Sequence, residues 1–145
     1  MDLIELAMRK VEVVETGCTL VEAARRMVEH SVGSLVITDA SGEVPLGIVT
    51  DRDLVVMLAR GVDPHRETLA PLTRRELASV RLGEGLQHVT HTMRKHGVRR
   101  LPILDAEGRL AGIVSMDDVL VLLGRGVADL AMAVEGELQV ERSRK

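Results

Sequence analysis

Two short motifs carry the residue types best suited to chemistry in this chain, Thr50-x-x-Asp53 and Ser115-x-x-Asp118. A hydroxyl followed three positions later by a carboxylate, at the start of a helix, satisfies two of the helix's unpaired amide protons reciprocally. Beside the first motif stands Arg52, and upstream of the second stand Arg99 and Arg100. Guanidinium forks match phosphate oxygens, and the first turn of a helix adds its positive dipole end. The second motif departs from the first, because Asp117 occupies the place of Arg52, and a carboxylate there repels phosphate. Anion binding at these motifs is therefore expected to be unequal.

Other reactive side chains offer less. His88 and His91 lie three apart on a predicted helix whose apolar face is Leu86, Val89 and Met93, so they point to solvent and, with His96, leave too few convergent ligands for a metal. The single Cys18 precedes a helix that could lower its pKa, but a neutral loop cysteine is the expectation. No nucleophile has a neighbouring base, and no glycine-rich phosphate loop of Walker type is present, so the chain is not expected to be an enzyme.

The elements that must hold these motifs occur twice. Val32-Gly33-Ser34-Leu35-Val36-Ile37-Thr38-Asp39-Ala40-Ser41-Gly42 is matched by Val98-Arg99-Arg100-Leu101-Pro102-Ile103-Leu104-Asp105-Ala106-Glu107-Gly108, 66 positions later (32 to 98). After Pro45 the offset becomes 65 and pairs Gly47-Ile48-Val49 with Gly112-Ile113-Val114, then Arg60-Gly61-Val62 with Arg125-Gly126-Val127. Such a run marks a duplicated unit.

Within each unit Leu20, Ala23, Ala24, Met27 and Val28, and again Leu86, Val89, Thr90 and Met93, recur at helical spacing. Leu35–Ile37 and Leu101–Leu104 are short apolar runs ending in Asp-Ala-Ser-Gly and Asp-Ala-Glu-Gly turns, which predicts a hairpin in each unit. Second helices follow from Leu54 and Val119, each expected to close at Arg-Gly. Short strands at Glu12–Val14 and Ser79–Val80 lead each unit. Pro102 lacks an amide proton and is expected at a strand edge or an unpaired position.

Composition narrows the function classes. With 22 acidic residues against 19 lysines and arginines, the net charge of −3 gives nucleic acid or an anionic membrane no general attraction. No Phe, Tyr or Trp is present to stack bases, so neither nucleic acid nor membrane is an expected partner. The lone cysteine and the want of a long apolar run near residue 1 suggest a reducing cytoplasm.

The motifs Gly47-Ile48-Val49-Thr50-Asp51-Arg52-Asp53 and Gly112-Ile113-Val114-Ser115-Met116-Asp117-Asp118, with Val98-Arg99-Arg100-Leu101-Pro102-Ile103 upstream, resemble the CBS-domain family, whose tandem pair is called a Bateman module. The resemblance covers about residues 7 to 127. It implies an α/β (α+β) fold of two βαββα units about a pseudo-twofold axis, with repeats at 7–62 and 72–127 and a C-terminal helix and tail over 128–145. It also implies clefts between the units for an adenosine nucleotide (AMP, ADP or ATP), or for NAD or S-adenosylmethionine, with no cofactor required.

By the same resemblance Asp53 and Asp118 accept the ribose hydroxyls, and Thr50 and Ser115 lie near the sugar or phosphate. Arg52 and Arg100 match basic positions of the family, and Arg99 joins them as a phosphate candidate. The adenine slot falls to Val14, Val36, Ile48, Val80, Pro102 and Ile113. The expected role is a ligand-sensing regulator of a separate effector protein, working as a homodimer. The competing expectation is a dimerisation scaffold with vacant clefts. Leu130, Val134 and Leu138 give the tail a helical stripe expected to pack on its own or a partner module, with the last charged residues disordered.

Overall fold

The computed structural model describes residues 10–144. Each unit begins with a short strand, β1 (Val13–Glu15) or β4 (Val80–Arg81). A helix follows, α1 (Leu20–His30) or α3 (Leu86–His96), and then an antiparallel hairpin, β2 (Ser34–Thr38) with β3 (Pro45–Thr50) or β5 (Arg100–Leu104) with β6 (Leu110–Ser115). A second helix closes each unit, α2 (Asp51–Ala59) or α4 (Met116–Ser143). The leading strand runs parallel to the first hairpin strand, giving two three-stranded sheets of order β1-β2-β3 and β4-β5-β6. The βαββα repeat read from the sequence is the architecture.

Sequence duplication extends to irregularities. The register slips between Ile37 and Thr38 in one hairpin and between Ile103 and Leu104 in the other, which are equivalent positions. Asp51 donates its amide to the Gly33 carbonyl at 3.1 Å, as Met116 does to Arg99 at 2.8 Å, closing each hairpin against its helix.

Each unit has its own aliphatic core. One gathers Val14, Leu20, Ala23, Met27, Leu35, Ile37, Val49, Leu54 and Leu69; the other gathers Val80, Val89, Met93, Leu101, Ile103, Val114 and Val119. The apolar stripes are narrower than their sequence suggests. Ala24, Val28 and Thr90 lie exposed, while Thr92 is buried beside Met93. In an eleven-residue helix against a small sheet, positions one turn apart in the middle of the stripe suffice to cover the core.

Pro102 takes the second of the two expected places: it is buried in β5, the central strand of its sheet, not at an edge, but at a position unpaired with β4. The neighbouring strand explains how it is tolerated. In the first unit Val36 donates its amide to the Glu12 carbonyl, and β1 starts at Val13. Pro102 is the counterpart of Val36 and has no proton to donate, and β4 starts one position later, pairing only Ile103 and Leu104.

The segment between units is built into the first one. Leu69 is fully buried there, its amide bonds the Cys18 carbonyl at 3.0 Å, and a 3₁₀ turn over Ala70–Thr73 lies along β3. A Cβ on Gly47 would come within 3.1 Å of the Leu72 carbonyl oxygen, so glycine lets the connection approach closely without displacing that carbonyl by a few tenths of an ångström. At the hairpin ends the units join through a hydrogen bond from the Leu110 amide to the Glu43 carbonyl.

The second helices differ. α2 ends at Ala59 with Gly61 at φ 82°, as expected of an Arg-Gly stop. α4 does not stop at Arg125-Gly126 but continues to Ser143, so the tail is an extension of the repeat's own helix and its charged residues to Arg142 are helical. Gly126 has ordinary helical backbone, because the apolar residues past it sustain the 3.6-residue pattern that is lost after Gly61.

Candidate functional site

Both hydroxyl–carboxylate motifs sit at strand-to-helix junctions and form complete capping boxes. Thr50 Oγ1 accepts from the Asp53 amide at 3.2 Å, and Asp53 Oδ2 accepts from the Thr50 amide at 2.8 Å and the Thr50 hydroxyl at 2.9 Å. Ser115 Oγ accepts from the Asp118 amide at 3.1 Å, and Asp118 Oδ2 from the Ser115 amide at 3.0 Å. Extended backbone at Thr50 and Ser115 feeding a helix aims each side chain back over its first turn. The structural role is thus fulfilled in both copies.

Both junctions border one cavity of about 1000 Å³, the first through Thr50 to Asp53 and the second through Ser115 to Asp117. Residues of both units line it: Ile48, Thr50, Arg52 and Asp53 from the first, Arg99, Arg100 and Ser115 from the second. The structure therefore brings seven of the thirteen candidate positions together. Arg100 also lies close to Asp51, since a Cβ on Gly33 would meet Arg100 Nη2 at 3.6 Å and Asp51 Oδ2 at 3.4 Å. Asp117 lies on the rim of this same cavity, where its carboxylate stands 3.6 Å from Arg99 Nη2. The residue that distinguishes the second motif is thus a neighbour of Arg52's cleft rather than a feature of a remote one.

The remaining candidates lie elsewhere. Asp118 does not line the cavity. Val14 and Val80 are buried in the two cores, Val36 and Pro102 are buried in the central strands, and Ile113 is half-buried opposite Pro102. Of the adenine-slot set only Ile48 faces the cavity.

Three groups of lining residues were not legible as such. The connection supplies Pro71, Leu72, Arg75, Glu76, Leu77 and Ala78, and the ends of α2 and α3 supply Arg60 and His96. Arg60 lay inside the repeated Arg-Gly-Val, where it read as a helix stop. Nothing in the connection's composition singled it out, since its position follows from Leu69 anchoring it to the first core. His96 was read as solvated; it is exposed and also borders the cleft.

No group of three or more metal-ligating side chains converges among the described residues. His88 instead sits 3.4 Å from Glu84. Cys18 is half-buried, and burial, reinforced by the Glu22 carboxylate, pushes its thiol pKa up, the reverse of activation by the helix dipole. No helix among the described residues is long and apolar enough to cross a membrane.

The CBS-domain model matches residues 3–60 and 69–125. This chain belongs to the CBS-domain family. It is 38% identical over 102 residues to hypoxic response protein 1 of Mycobacterium tuberculosis, covering 70% of each protein. It is 37% identical to an uncharacterised protein of Methanopyrus kandleri, covering 80% of this chain and 59% of that one.

Among solved structures, hypoxic response protein I with two coordinated zinc ions superposes with a TM-score of 0.72 at 32% identity, over 83% of this chain and 97% of the other. Two more distant CBS structures share the fold. One is a domain pair holding 5′-methylthioadenosine and S-adenosylmethionine (TM-score 0.75, 24% identity, 87% of this chain and 98% of that one). The other is a Pyrobaculum aerophilum protein complexed with AMP (TM-score 0.74, 22% identity, 86% and 99%). The tandem CBS pair is thus the fold of this chain.

Proposed function

We propose that this CBS pair is a cytoplasmic ligand-sensing module that binds an adenosine nucleotide in the Asp53 cleft and thereby modulates a partner protein. The observation that carries this reading is the convergence, around one cavity spanning both units, of a Thr-x-x-Asp junction with Arg52, Arg99 and Arg100. Carboxylate and hydroxyl groups suit a ribose, and guanidinium forks suit phosphate. Asp53 already commits Oδ2 to Thr50, so a ribose diol is received chiefly at Oδ1. Complexes of other CBS pairs with AMP and with S-adenosylmethionine support an adenosine ligand, and the arginines favour the phosphorylated member of that set. NAD carries phosphates too and belongs among the candidates.

The role is regulatory rather than catalytic: a ligand acts by binding two states of the module differently. A vacant scaffold is the competing reading, and the self-contained capping boxes favour it to this extent, that both junctions are satisfied without a ligand. Differential scanning calorimetry with AMP, ADP, ATP, NAD and S-adenosylmethionine separates the two. A nucleotide at a hundred times its dissociation constant adds about 2.7 kcal/mol of stability. An unchanged melting temperature with every compound at millimolar concentration favours the scaffold.

A further inference from the structure

From Leu123 to Arg144 every residue of the last helix is exposed. Within the chain α4 packs mainly on α3 and β6, through its first turns, where Val119 is buried. The remainder continues alone for some 20 residues, roughly 30 Å at 1.5 Å per residue. Such a segment is a poor helix by itself. It contains Gly124, Gly126 and Gly136, each costing about 1 kcal/mol relative to alanine, and isolated helices of this length are marginal even for good formers.

Most of its large apolar residues share one face, with Val121, Met132 and Val140 off it. At 3.6 residues per turn, Leu120, Leu123, Val127, Leu130, Val134 and Leu138 fall within roughly a quarter of the circumference. They are between 47% and 69% exposed. Gly124, Gly126, Ala131 and Ala133 flank this stripe, so another helix can approach closely. The stripe is also nearly symmetric about its middle, at Leu130-Ala131. An antiparallel copy sets Leu123 against Leu138 and Val127 against Val134. The ends differ in charge: Asp117 and Asp118 lie at the first turn, while Arg142 and the capping Arg144 outnumber Glu141 at the last. An antiparallel pair joins these opposite charges, whereas a parallel pair stacks like on like and brings Glu137 and Glu141 against their own copies along the seam.

We propose that α4 is an antiparallel dimerisation helix, covered by the same helix of a second copy of this chain. The pairing is isologous and therefore closes at two chains. It also sets Arg144 of the partner subunit level with Asp117, at the rim of the cleft. The partner copy thereby contributes a positive charge beside the cavity mouth.

The test uses the full chain in which Cys18 is replaced by serine. Light scattering is expected to give about twice 15.8 kDa, and Leu130→Glu to raise the dimer dissociation constant at least a hundredfold. Met132→Glu, on the opposite face, is expected to leave the dimer intact. Oxidation gives the orientation: Leu130→Cys links to itself, Leu138→Cys does not, and a mixture of Leu123→Cys with Leu138→Cys forms the mixed dimer. A monomer at all micromolar concentrations overturns the proposal, whether the stripe then meets a lipid surface or a different protein. A dimer indifferent to Leu130→Glu, or self-linking of Leu138→Cys, overturns it equally. None of these results depends on a nucleotide.

Discussion

Asp53 holds a double position, capping α2 and facing the cavity, and the two roles separate on substitution. Asp53→Ala is expected to lower the stability of the ligand-free protein by about 1 kcal/mol through loss of the cap. Nucleotide affinity is expected to fall at least tenfold, a charge-assisted hydrogen bond being worth about 1.5–3 kcal/mol. Asp118→Ala is expected to show the first effect with little of the second, because Asp118 lies off the cavity. Denaturant melts and calorimetry on both variants check this, and equal affinity losses would contradict it. The motifs were legible as helix caps at strand-to-helix junctions, which is where both lie. Sequence did not tell that both junctions border one cavity, nor that Asp53 lines it and Asp118 does not, since that depends on how the two units and their connection meet.

The hairpin turns supply a pH-dependent contribution. Hydrogen bonding by Ser41 lowers the Asp39 pKa, and the Arg109 amide, with the Arg109 guanidinium, lowers that of Asp105. A carboxylate whose folded pKa lies below its unfolded value of about 3.8 stabilises the protein above that pH. The contribution is lost as pH falls through the lowered folded value. Melting temperature is therefore expected to drop below pH 4, and Asp105→Asn to flatten that drop. A variant with the same acid dependence as the native chain would remove the turn from the explanation.

At the scale of elements, strands and helices followed from periodicity and turn residues, and the errors and open points have physical causes. For Pro102 the sequence left a strand edge and an unpaired position equally open, because it cannot show that the adjacent strand is shortened by one position to accommodate it. The Arg-Gly stop worked for α2 and failed for α4, because glycine terminates a helix only where the following residues cease to support it. Two substitutions probe these elements. Gly136→Ala, on the side of α4 away from the stripe and with open space around a new Cβ, is expected to stabilise the helix by up to about 1 kcal/mol. Gly47→Ala is expected to destabilise the chain and weaken nucleotide binding, because its Cβ presses on the Leu72 carbonyl of the connection that lines the cleft. Circular dichroism melts report both, and a neutral Gly47→Ala would show that the connection yields freely.

For the whole molecule, duplication creates the cavity: a junction from one unit faces arginines from the other, and neither unit alone contains the set. The duplication was legible from residue offsets, and with it the fold. The burial of Val14, Val36, Val80 and Pro102 was not, since aliphatic residues at these positions fit a core as readily as a ligand slot. The most direct test of the account is isothermal titration of AMP, ADP and ATP into the native chain and into Asp53→Ala, a method that does not need the tyrosine or tryptophan signal this chain lacks. The account predicts saturable binding of at least one nucleotide to the native chain, weakened at least tenfold by the substitution. No heat with any nucleotide at millimolar concentration, or binding untouched by Asp53→Ala, would contradict it.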